Sequence, residues 1–336
     1  MPEGPTVKRF QLHCSSFVGQ GVTKVGGSTK QMNPDDLKGL MLQDTQVLGK
    51  NLFLAFGGVQ EAATSHEGSS TEPSEPGSSS QGMGLDRGSP ILQSWEGGKA
   101  DSGGPGGPLQ EEHEADLPSF MDDTAGPPWK WLRFHFWLYG SVRANEFARA
   151  NKANKRGDWK DPVPRLVLHF DRGGFLVFYN CRIHSCSSPT AEPATDILSL
   201  EFDQERALGA LCKAVPVCHT LLDQRYFSGL GNIIKNEALY LAKIHPLSLG
   251  SLLPLPELRS LLDHAVRFAS EWFINKQQRG RQHWQIYQKE RCPEGHQVRK
   301  EAFGPPDGLR RLTWWCPQCQ PQVGQEEDED LSTRGS

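Results

Sequence analysis

The sequence predicts an α+β protein of more than one domain, with a β-rich first half, a helical second half and a small metal-stabilised β-hairpin near the end. Three observations lead to this prediction. Residues 1–186 contain runs dense in aromatic and branched side chains, residues 199–283 carry apolar residues at helical spacing, and a later stretch has cysteines at metal-ligand spacing. At 336 residues the chain also exceeds a typical domain of roughly 100 to 150 residues.

Strand-like runs account for most of the first half. They cover residues 47–56, 131–143, 165–170 and 174–179, and a D-R-G-G turn signal joins the last two. One early helix is expected over residues 6–14. We predict that residues 1–56 and 127–186 together form one mainly β domain.

Residues 57–126 interrupt this domain with a stretch rich in Gly, Ser, Pro and Glu. The stretch holds 13 acidic residues against two basic ones and too few apolar residues to bury a core. We therefore predict a disordered acidic insertion between two strands, and a second disordered acidic segment over residues 321–336. The insertion is a spacer, a segment that docks a partner, or a mimic of nucleic acid.

The formal net charge of −4 hides an uneven distribution. The insertion carries a net charge of −11 and residues 325–336 carry −4, so the remaining chain carries +11. A basic folded part is typical of proteins that bind polyanions, although a scattered basic surface gives the same count. The basic run at 149–156 is a DNA contact, a nuclear import signal or a solvated loop.

The second half has helical periodicity after a linker at 187–198. Helices are expected over residues 203–214, 217–222, 232–242 and 256–275, within a domain that spans 199–283. Asp203 is a candidate N-cap residue. The S-G-L-G-N turn before residue 232 would direct helix N–H groups outward toward a phosphate, or it is an ordinary connection between helices.

A metal site is predicted in residues 284–320. Three thiols and one imidazole, separated by three, nineteen and two residues, are the donor set of a closed tetrahedral site for one structural zinc ion. The residues between them read as a turn and a strand, which predicts a zinc-stabilised β-hairpin. The alternative is a surface histidine beside a redox-active cysteine pair. The four candidate ligands are Cys292, His296, Cys316 and Cys319.

The first residues of the chain offer a candidate nucleophile. Removal of Met1 would expose the secondary amine of Pro2, and α-amines have a pKa near ~8, so part of the population is unprotonated at neutral pH. Glu3 could donate a proton, and Lys50, in an apolar strand, could transfer a second proton or contact a phosphate. Eight sparse cysteines and the lack of a secretory signal or long apolar run predict a soluble intracellular protein that does not enter membranes.

Taken in order, five motifs resemble the formamidopyrimidine glycosylase and endonuclease VIII family. They are M-P-E-G-P at the start, L-G-K-N-L-F-L-A-F at 48–56, F-H-F-W-L-Y-G-S-V-R at 134–143, D-Q-R-Y-F-S-G-L-G-N at 223–232 and R-L-T-W-W-C-P-Q-C-Q at 311–320. The resemblance covers nearly the whole chain outside the insertion and the tail. It implies an N-terminal β-sandwich, a helix-two-turn-helix domain with a zinc-finger hairpin, and damaged DNA bound in the cleft between them.

The resemblance also implies a reaction and a site. The reaction is release of oxidised bases, such as 5-hydroxyuracil, followed by strand cleavage through β,δ-elimination from a covalent Schiff base. Pro2 would be the nucleophile, Glu3 the general acid and Lys50 an aid to elimination. The phosphate contacts would come from Asn232 and Arg311, and Arg311 would also assist δ-elimination as the fourth catalytic residue. The residues inserted into the base stack would be Trp137, Leu138 and Tyr139. A buried strand is the alternative for these last three residues.

Three features depart from the family pattern, and one of them is the long acidic insertion. Thr6 stands where much of the family has a glutamate, and His296 replaces one of four cysteines. A non-catalytic DNA-binding protein and a zinc-ribbon interaction module are the competing interpretations, and the complete set of N-terminal motifs argues against both. The expected setting is the nucleus, with the cytoplasm as the alternative, and the protein is expected to be a monomer that meets other base excision repair proteins.

Overall fold

A computed structural model gives the architecture of the chain. It describes residues 1–58, 129–150, 153, 157–189, 193–278, 280, 282–305, 308 and 310–322. These residues belong to one compact unit. Most of the predicted acidic insertion at 57–126, most of the tail at 321–336 and part of the basic run at 149–156 lie outside the described residues.

The first half is the predicted β-rich region, preceded by one helix. Helix α1 spans Gly4–Ser15, and the strands pair antiparallel in the order β1-β5-β6-β4-β3-β2. The strands are β1 (Val22–Gly26), β2 (Met41–Leu48), β3 (Asn51–Gly57), β4 (Lys130–Ala144), β5 (Leu166–Phe170) and β6 (Phe175–Cys186). The two ends of this order also meet, because Gly21 and Met41 form an antiparallel bridge. The sheet therefore curls round its own core, as the implied β-sandwich requires.

Apolar side chains explain why this sheet is stable. Phe56, Phe134, Phe136 and Phe178 are almost completely buried in one cluster, and α1 packs Val7 into the same cluster. Phe134 and Phe178 stack with ring centroids 4.6 Å apart across the β4–β6 pair. Burial of a large apolar side chain contributes roughly 1.5–3 kcal/mol, so this core fixes the position of α1 and hence of the chain's first residues.

The second half is helical, as the periodicity predicts. The helices are α2 (Gln204–Leu211), α3 (Val217–Thr220), α4 (Asn232–Leu241) and α5 (Leu255–Gln277). Asp203 is the N-cap of α2, where its side chain accepts a hydrogen bond from the N–H of Arg206 at 2.9 Å. Among the described residues, no helix is both long and apolar enough to span a membrane.

The predicted hairpin is present near the end of the chain. Strands β7 (Arg299–Phe303) and β8 (Arg311–Trp315) pair antiparallel, and α4 packs against β8. An isolated two-stranded hairpin is at best marginally stable in water. The hairpin therefore depends on its contacts with α4 and on the ligand cluster at its base.

Two local predictions need correction. Residues 47–56 do not form one strand, because β2 ends at Leu48 and β3 begins at Asn51, so Lys50 lies in the turn of a β-hairpin. The positive φ of 56° at Gly49 supplies the left-handed conformation that this tight turn requires. Part of the predicted linker is also packed, since the N–H of Ile197 donates to the carbonyl of Ser228 at 3.1 Å.

Candidate active site

Three distant chain segments meet at the start of α4. The N–H of Gly4 donates to the carbonyl of Gly229 at 2.8 Å, and the N–H of Gly49 donates to the buried carboxylate of Asp196 at 2.9 Å. A Cβ atom on Gly49 would lie 2.1 Å from the Oγ of Ser228. The N-terminus, the Lys50 turn and the S-G-L-G-N segment are therefore in direct backbone contact.

The side chain of Glu3 is the centre of this junction. It is 4% exposed, and its two carboxylate oxygens accept hydrogen bonds from the N–H groups of Ile233 at 2.7 Å and Ile234 at 3.2 Å. A Cβ atom on Gly231 would lie 2.4 Å from the side chain of Glu3, so only glycine allows this approach. The carboxylate thus occupies the positive end of α4.

This arrangement corrects the expectation for the S-G-L-G-N turn. The sequence predicts either that the turn aims its helix N–H groups outward at a phosphate or that it is an ordinary connection between helices. The structure shows neither, because the N–H groups of Ile233 and Ile234 point at Glu3. The physical reason is that the first N–H groups of a helix lack partners within the helix, and the buried carboxylate is the nearest strong acceptor. An anion does bind at this helix end, and it belongs to the protein itself.

Burial controls the acidity of Glu3. Loss of solvent raises the pKa of the Glu3 carboxyl above its usual value, and the charge of Lys50 and the N–H groups of Ile233 and Ile234 oppose that rise. A carboxyl with a raised pKa is partly protonated closer to neutral pH, which is the requirement for a general acid. The environment of Glu3 is therefore suited to proton donation.

The N-terminal amine lies in the same place. Burial lowers the pKa of the Met1 amine, and the nearby Arg311 and Lys50 lower it further, while Glu3 raises it. A lowered pKa increases the unprotonated, nucleophilic fraction of an amine at neutral pH. With Met1 attached, the nitrogen of Pro2 is in an amide bond, so this nitrogen becomes an amine only after Met1 is removed.

The structure thus brings together all four residues predicted for the reaction. The Met1 amine next to Pro2 interacts electrostatically with Glu3, Lys50 and Arg311, although these residues come from the N-terminus, the β2–β3 turn and the first residue of β8. Sequence reasoning missed Asp196, whose carboxylate holds the Lys50 turn. No motif marks Asp196, because its role depends on a partner 147 residues away.

The three residues predicted to insert into the base stack, called the wedge residues below, lie in a bulge of β4. Phe136 pairs with Cys181 and Ser141 with Tyr179, so the four residues between Phe136 and Ser141 lie opposite Asn180 alone. The Nδ2 of Asn180 donates to the carbonyl of Leu138 at 2.6 Å and braces the bulge. The exposed fractions are 37% for Trp137, 57% for Leu138 and 86% for Tyr139. This exposure excludes the alternative of a buried strand for these residues.

The bulge lies close to the Lys50 turn. Asn51 pairs with His135 across the β3–β4 ladder, and Nδ1 of His135 is 3.1 Å from Oδ1 of Asn51. The guanidinium of Arg182 lies 5.2 Å from the centre of the Trp137 ring. The exposed apolar tip and the turn that carries Lys50 therefore occupy the same end of the sheet.

Asn232 bridges α4 and the hairpin. Its Nδ2 donates to the carbonyl of Leu312 at 2.8 Å, next to Arg311. A carboxamide nitrogen carries two N–H groups, so one remains for a phosphate oxygen. The helix start and the beginning of β8 therefore face one common area, from which both predicted phosphate contacts would come.

The predicted ligand cluster consists of Cys292, His296, Cys316 and Cys319. Their donor atoms all lie within 4.8 Å of one another, and the group could hold a metal ion. Sγ of Cys292 is 3.9 Å from Sγ of Cys319, close to the separation of about 3.8 Å that tetrahedral geometry gives for Zn–S bonds of about 2.3 Å. Three thiols and one imidazole leave no open position on a four-coordinate ion, which suits a structural metal.

Comparisons with known proteins agree with this architecture. Residues 194–275 match the family model described as the formamidopyrimidine-DNA glycosylase H2TH domain. The chain is 54% identical over 336 residues to human endonuclease 8-like 2, covering 98% of this chain and 99% of the relative. It is 53% identical over 333 residues to the Bos taurus protein of the same name, with the same two coverages.

Solved structures share the fold at lower identity. A crystal structure of Lactococcus lactis formamidopyrimidine-DNA glycosylase, described as bound to DNA containing an abasic site, has a TM-score of 0.59 and 18% identity, covering 95% of this chain and 100% of its own. A viral DNA glycosylase has a TM-score of 0.60 and 16% identity, covering 95% and 99%.

Two findings establish the family of this chain. A relative shares more than half of its residues over nearly the full length of both chains, and the helical domain matches the family model. The chain belongs to the formamidopyrimidine-DNA glycosylase and endonuclease VIII family.

Proposed function

We propose that the protein removes oxidised bases from DNA, chiefly oxidised pyrimidines such as 5-hydroxyuracil, and then cuts the strand at the abasic site. Membership of a family of DNA glycosylases supports base removal. The observation that carries the proposal is the meeting of the buried Glu3 carboxylate, the N-terminal amine, Lys50 and Arg311 in one site. The choice of oxidised pyrimidines follows the endonuclease 8-like resemblance rather than any contact in this site.

The proposed reaction begins after Met1 has been removed. The secondary amine of Pro2 attacks C1′ of the damaged nucleotide, and the bond from C1′ to the base breaks with its electron pair on the departing base. The departing base and the ring oxygen each take up one proton. One is donated by Glu3, and the other is the proton that the Pro2 nitrogen loses after its attack. Loss of the ring oxygen from C1′ then leaves an iminium between Pro2 and the sugar.

The iminium accounts for strand cleavage by the same intermediate. It acidifies the proton on C2′, and loss of that proton expels the 3′ phosphate as the C3′–O bond breaks. Loss of the C4′ proton then expels the 5′ phosphate, and water hydrolyses the iminium to free Pro2. In this proposal Lys50 transfers protons, and Arg311 balances the charge of a departing phosphate.

The exposed bulge and the ligand cluster have supporting roles in this proposal. Trp137, Leu138 and Tyr139 would fill the gap left in the base stack when the damaged nucleotide is flipped out. One zinc ion, held by the four-residue cluster, would keep β7 and β8 in place. We further propose that the protein works in the nucleus as a monomer, together with other base excision repair proteins.

Borohydride trapping tests the nucleophile directly. Reduction of the iminium on DNA with an abasic site should give a stable covalent complex whose peptide map places the DNA on residue 2. Pro2→Leu should abolish the adduct on residue 2, because a large second residue blocks removal of Met1 and leaves the nitrogen of residue 2 in an amide bond.

The control is DNA with a tetrahydrofuran residue, which has no aldehyde at C1′. Pro2→Leu should bind this DNA within about threefold of the wild-type affinity, a change of about 0.7 kcal/mol. Adducts that persist on a lysine would assign the nucleophile elsewhere. Tight binding by the wild type without any adduct would favour the non-catalytic DNA-binding alternative.

Leu138→Ala should slow base excision from duplex DNA by about tenfold, because a wedge that fills the unstacked gap contributes on the order of 1–3 kcal/mol. Excision from single-stranded DNA should change by less than about twofold, since there is no stack to fill. Leu252→Ala is the matched control, because Leu252 is 55% exposed, as Leu138 is 57%. Equal effects on both DNA forms would refute the wedge role.

A further inference from the structure

Helix α4 contains a buried lysine that the proposed reaction does not use. Lys235 is 1% exposed, and its Nζ donates a hydrogen bond to Oγ1 of Thr313 at 2.7 Å. Thr313 is 0% exposed, and its hydroxyl donates in turn to the carbonyl of Arg311 at 3.2 Å. A continuous chain of hydrogen bonds therefore runs from α4 to the backbone of Arg311.

The same helix also holds the general acid. Its second and third residues donate their N–H groups to Glu3. On the hairpin side, Nδ2 of Asn232 donates to the carbonyl of Leu312 at 2.8 Å, and the N–H of Trp314 donates to Oδ1 of Asn236 at 3.0 Å. Together with the Lys235 contact, these bonds hold three successive residues of β8. One helix thus fixes Glu3 and the strand that begins with Arg311.

Stability alone does not explain a lysine at this position. Burial lowers the pKa of Lys235 to about 8, and Arg311 adds to that effect, while Cys218 and Glu3 oppose it. Such a shift means that the folded protein holds the charged ammonium at a cost. Methionine has a similar length and would pack without this cost, since apolar replacements of buried charged groups are often neutral or stabilising.

We propose that Lys235 is a positioning residue that keeps Arg311 in register for the second elimination. The inference rests on the proposed function. In that step the proton on C4′ is lost, the C5′–O bond breaks, and the 5′ phosphate leaves with the electron pair. The Arg311 guanidinium balances the charge on the leaving phosphate. The hydrogen bond from the Thr313 hydroxyl to the Arg311 carbonyl fixes the backbone position from which the Arg311 side chain extends.

The experiment uses the full chain and DNA with a preformed abasic site. It measures the ratio of δ- to β-elimination product in Lys235→Met, Thr313→Val and the double variant, beside the rate of base release from DNA with 5-hydroxyuracil. Both single variants should lower the δ/β ratio about tenfold. An effect of this size is usual for residues that influence a site without contacting its ligand. The double variant should be no worse than either one, because both remove the same contact.

Base release should stay within about twofold of the wild type, since the backbone N–H groups that hold Glu3 remain. The thermal midpoint of Lys235→Met should be equal to or above that of the wild type. Lys235→Arg should recover part of the δ/β ratio. Thr220→Val is the matched control, because Thr220 is buried in the same helical region and 8% exposed.

Three results would overturn the inference. An unchanged δ/β ratio in Lys235→Met, while the wild type forms δ product, would overturn it alone. A fall in base release and in thermal midpoint that parallels the fall in δ product would show that Lys235 acts only through stability. A wild type that forms no δ product at all would instead overturn the proposed function, and the inference with it.

Discussion

Glu3→Gln will slow release of a damaged base by about 10²- to 10⁴-fold, the usual contribution of a general acid. Gln has the shape of Glu and keeps one oxygen to accept from the N–H of Ile233, but it cannot donate a proton in the same way. Single-turnover excision of 5-hydroxyuracil measures the effect. The thermal midpoint should stay within about 4 °C of the wild type, because the lost hydrogen bond is offset by removal of a buried charge.

The pH dependence gives a second readout of the same substitution. The acid form of Glu3 is present below its pKa in the folded protein, which burial raises, and is lost as the pH rises through that value. Wild-type base release should therefore fall on the alkaline side, and Glu3→Gln should lack that fall. Glu271→Gln, at an exposed position, is the control and should keep the wild-type profile. An alkaline fall that persists in Glu3→Gln would assign the acid to another group.

Cys316→Ser will abolish metal binding and lower DNA cleavage by more than about 100-fold. Structural zinc contributes roughly 10–16 kcal/mol in small zinc-binding folds, and a hairpin without its metal is at best marginally stable. Arg311 and the residues of β8 that contact α4 belong to this hairpin. Zinc content measures the loss of metal, single-turnover strand cleavage measures the loss of activity, and hydrogen exchange over β7 and β8 measures the loss of hairpin stability.

The effect should be local to one part of the molecule. The cluster of buried phenylalanines inside the first six strands shares no residue with the cluster around Cys316, so the sheet should keep its exchange protection. Cys212→Ser is the matched control, because Cys212 is exposed and lies outside the ligand cluster. Full zinc content and full cleavage in Cys316→Ser would contradict a structural metal at this site.

The sequence was sufficient for the architecture because periodicity and ligand spacing are local properties. Strands β3 to β6, the helices and the hairpin of β7 and β8 follow from such patterns, whereas β1 and most of β2 are not predicted from the sequence. The prediction of a strand through Lys50 is wrong because the residues on both sides of it are apolar and hide the turn, although Gly49 is a signal for a tight turn.

The sequence predicts which residues belong to the candidate site, but it does not predict the contacts that those residues make. Motif order named Pro2, Glu3, Lys50 and Arg311, and the structure places these residues near one another. The partner of Glu3 could not be predicted, since a helix N-terminus attracts an outside phosphate or an inside carboxylate equally well. Lys235 carried no sequence signal either, because lysines are common on exposed helix faces.

The hydrogen bond between Glu3 and Ile233 joins residues 230 positions apart. This separation determines the stage of synthesis at which the site can assemble. The N-terminus leaves the ribosome first, yet its carboxylate has no helix to bind until α4 has emerged and folded. Closing so long a loop is an entropic cost that only the later helical core can offset. A nascent or truncated chain that stops before α4 therefore carries the proposed nucleophile without the helix that binds Glu3, and the site is assembled only in the finished fold.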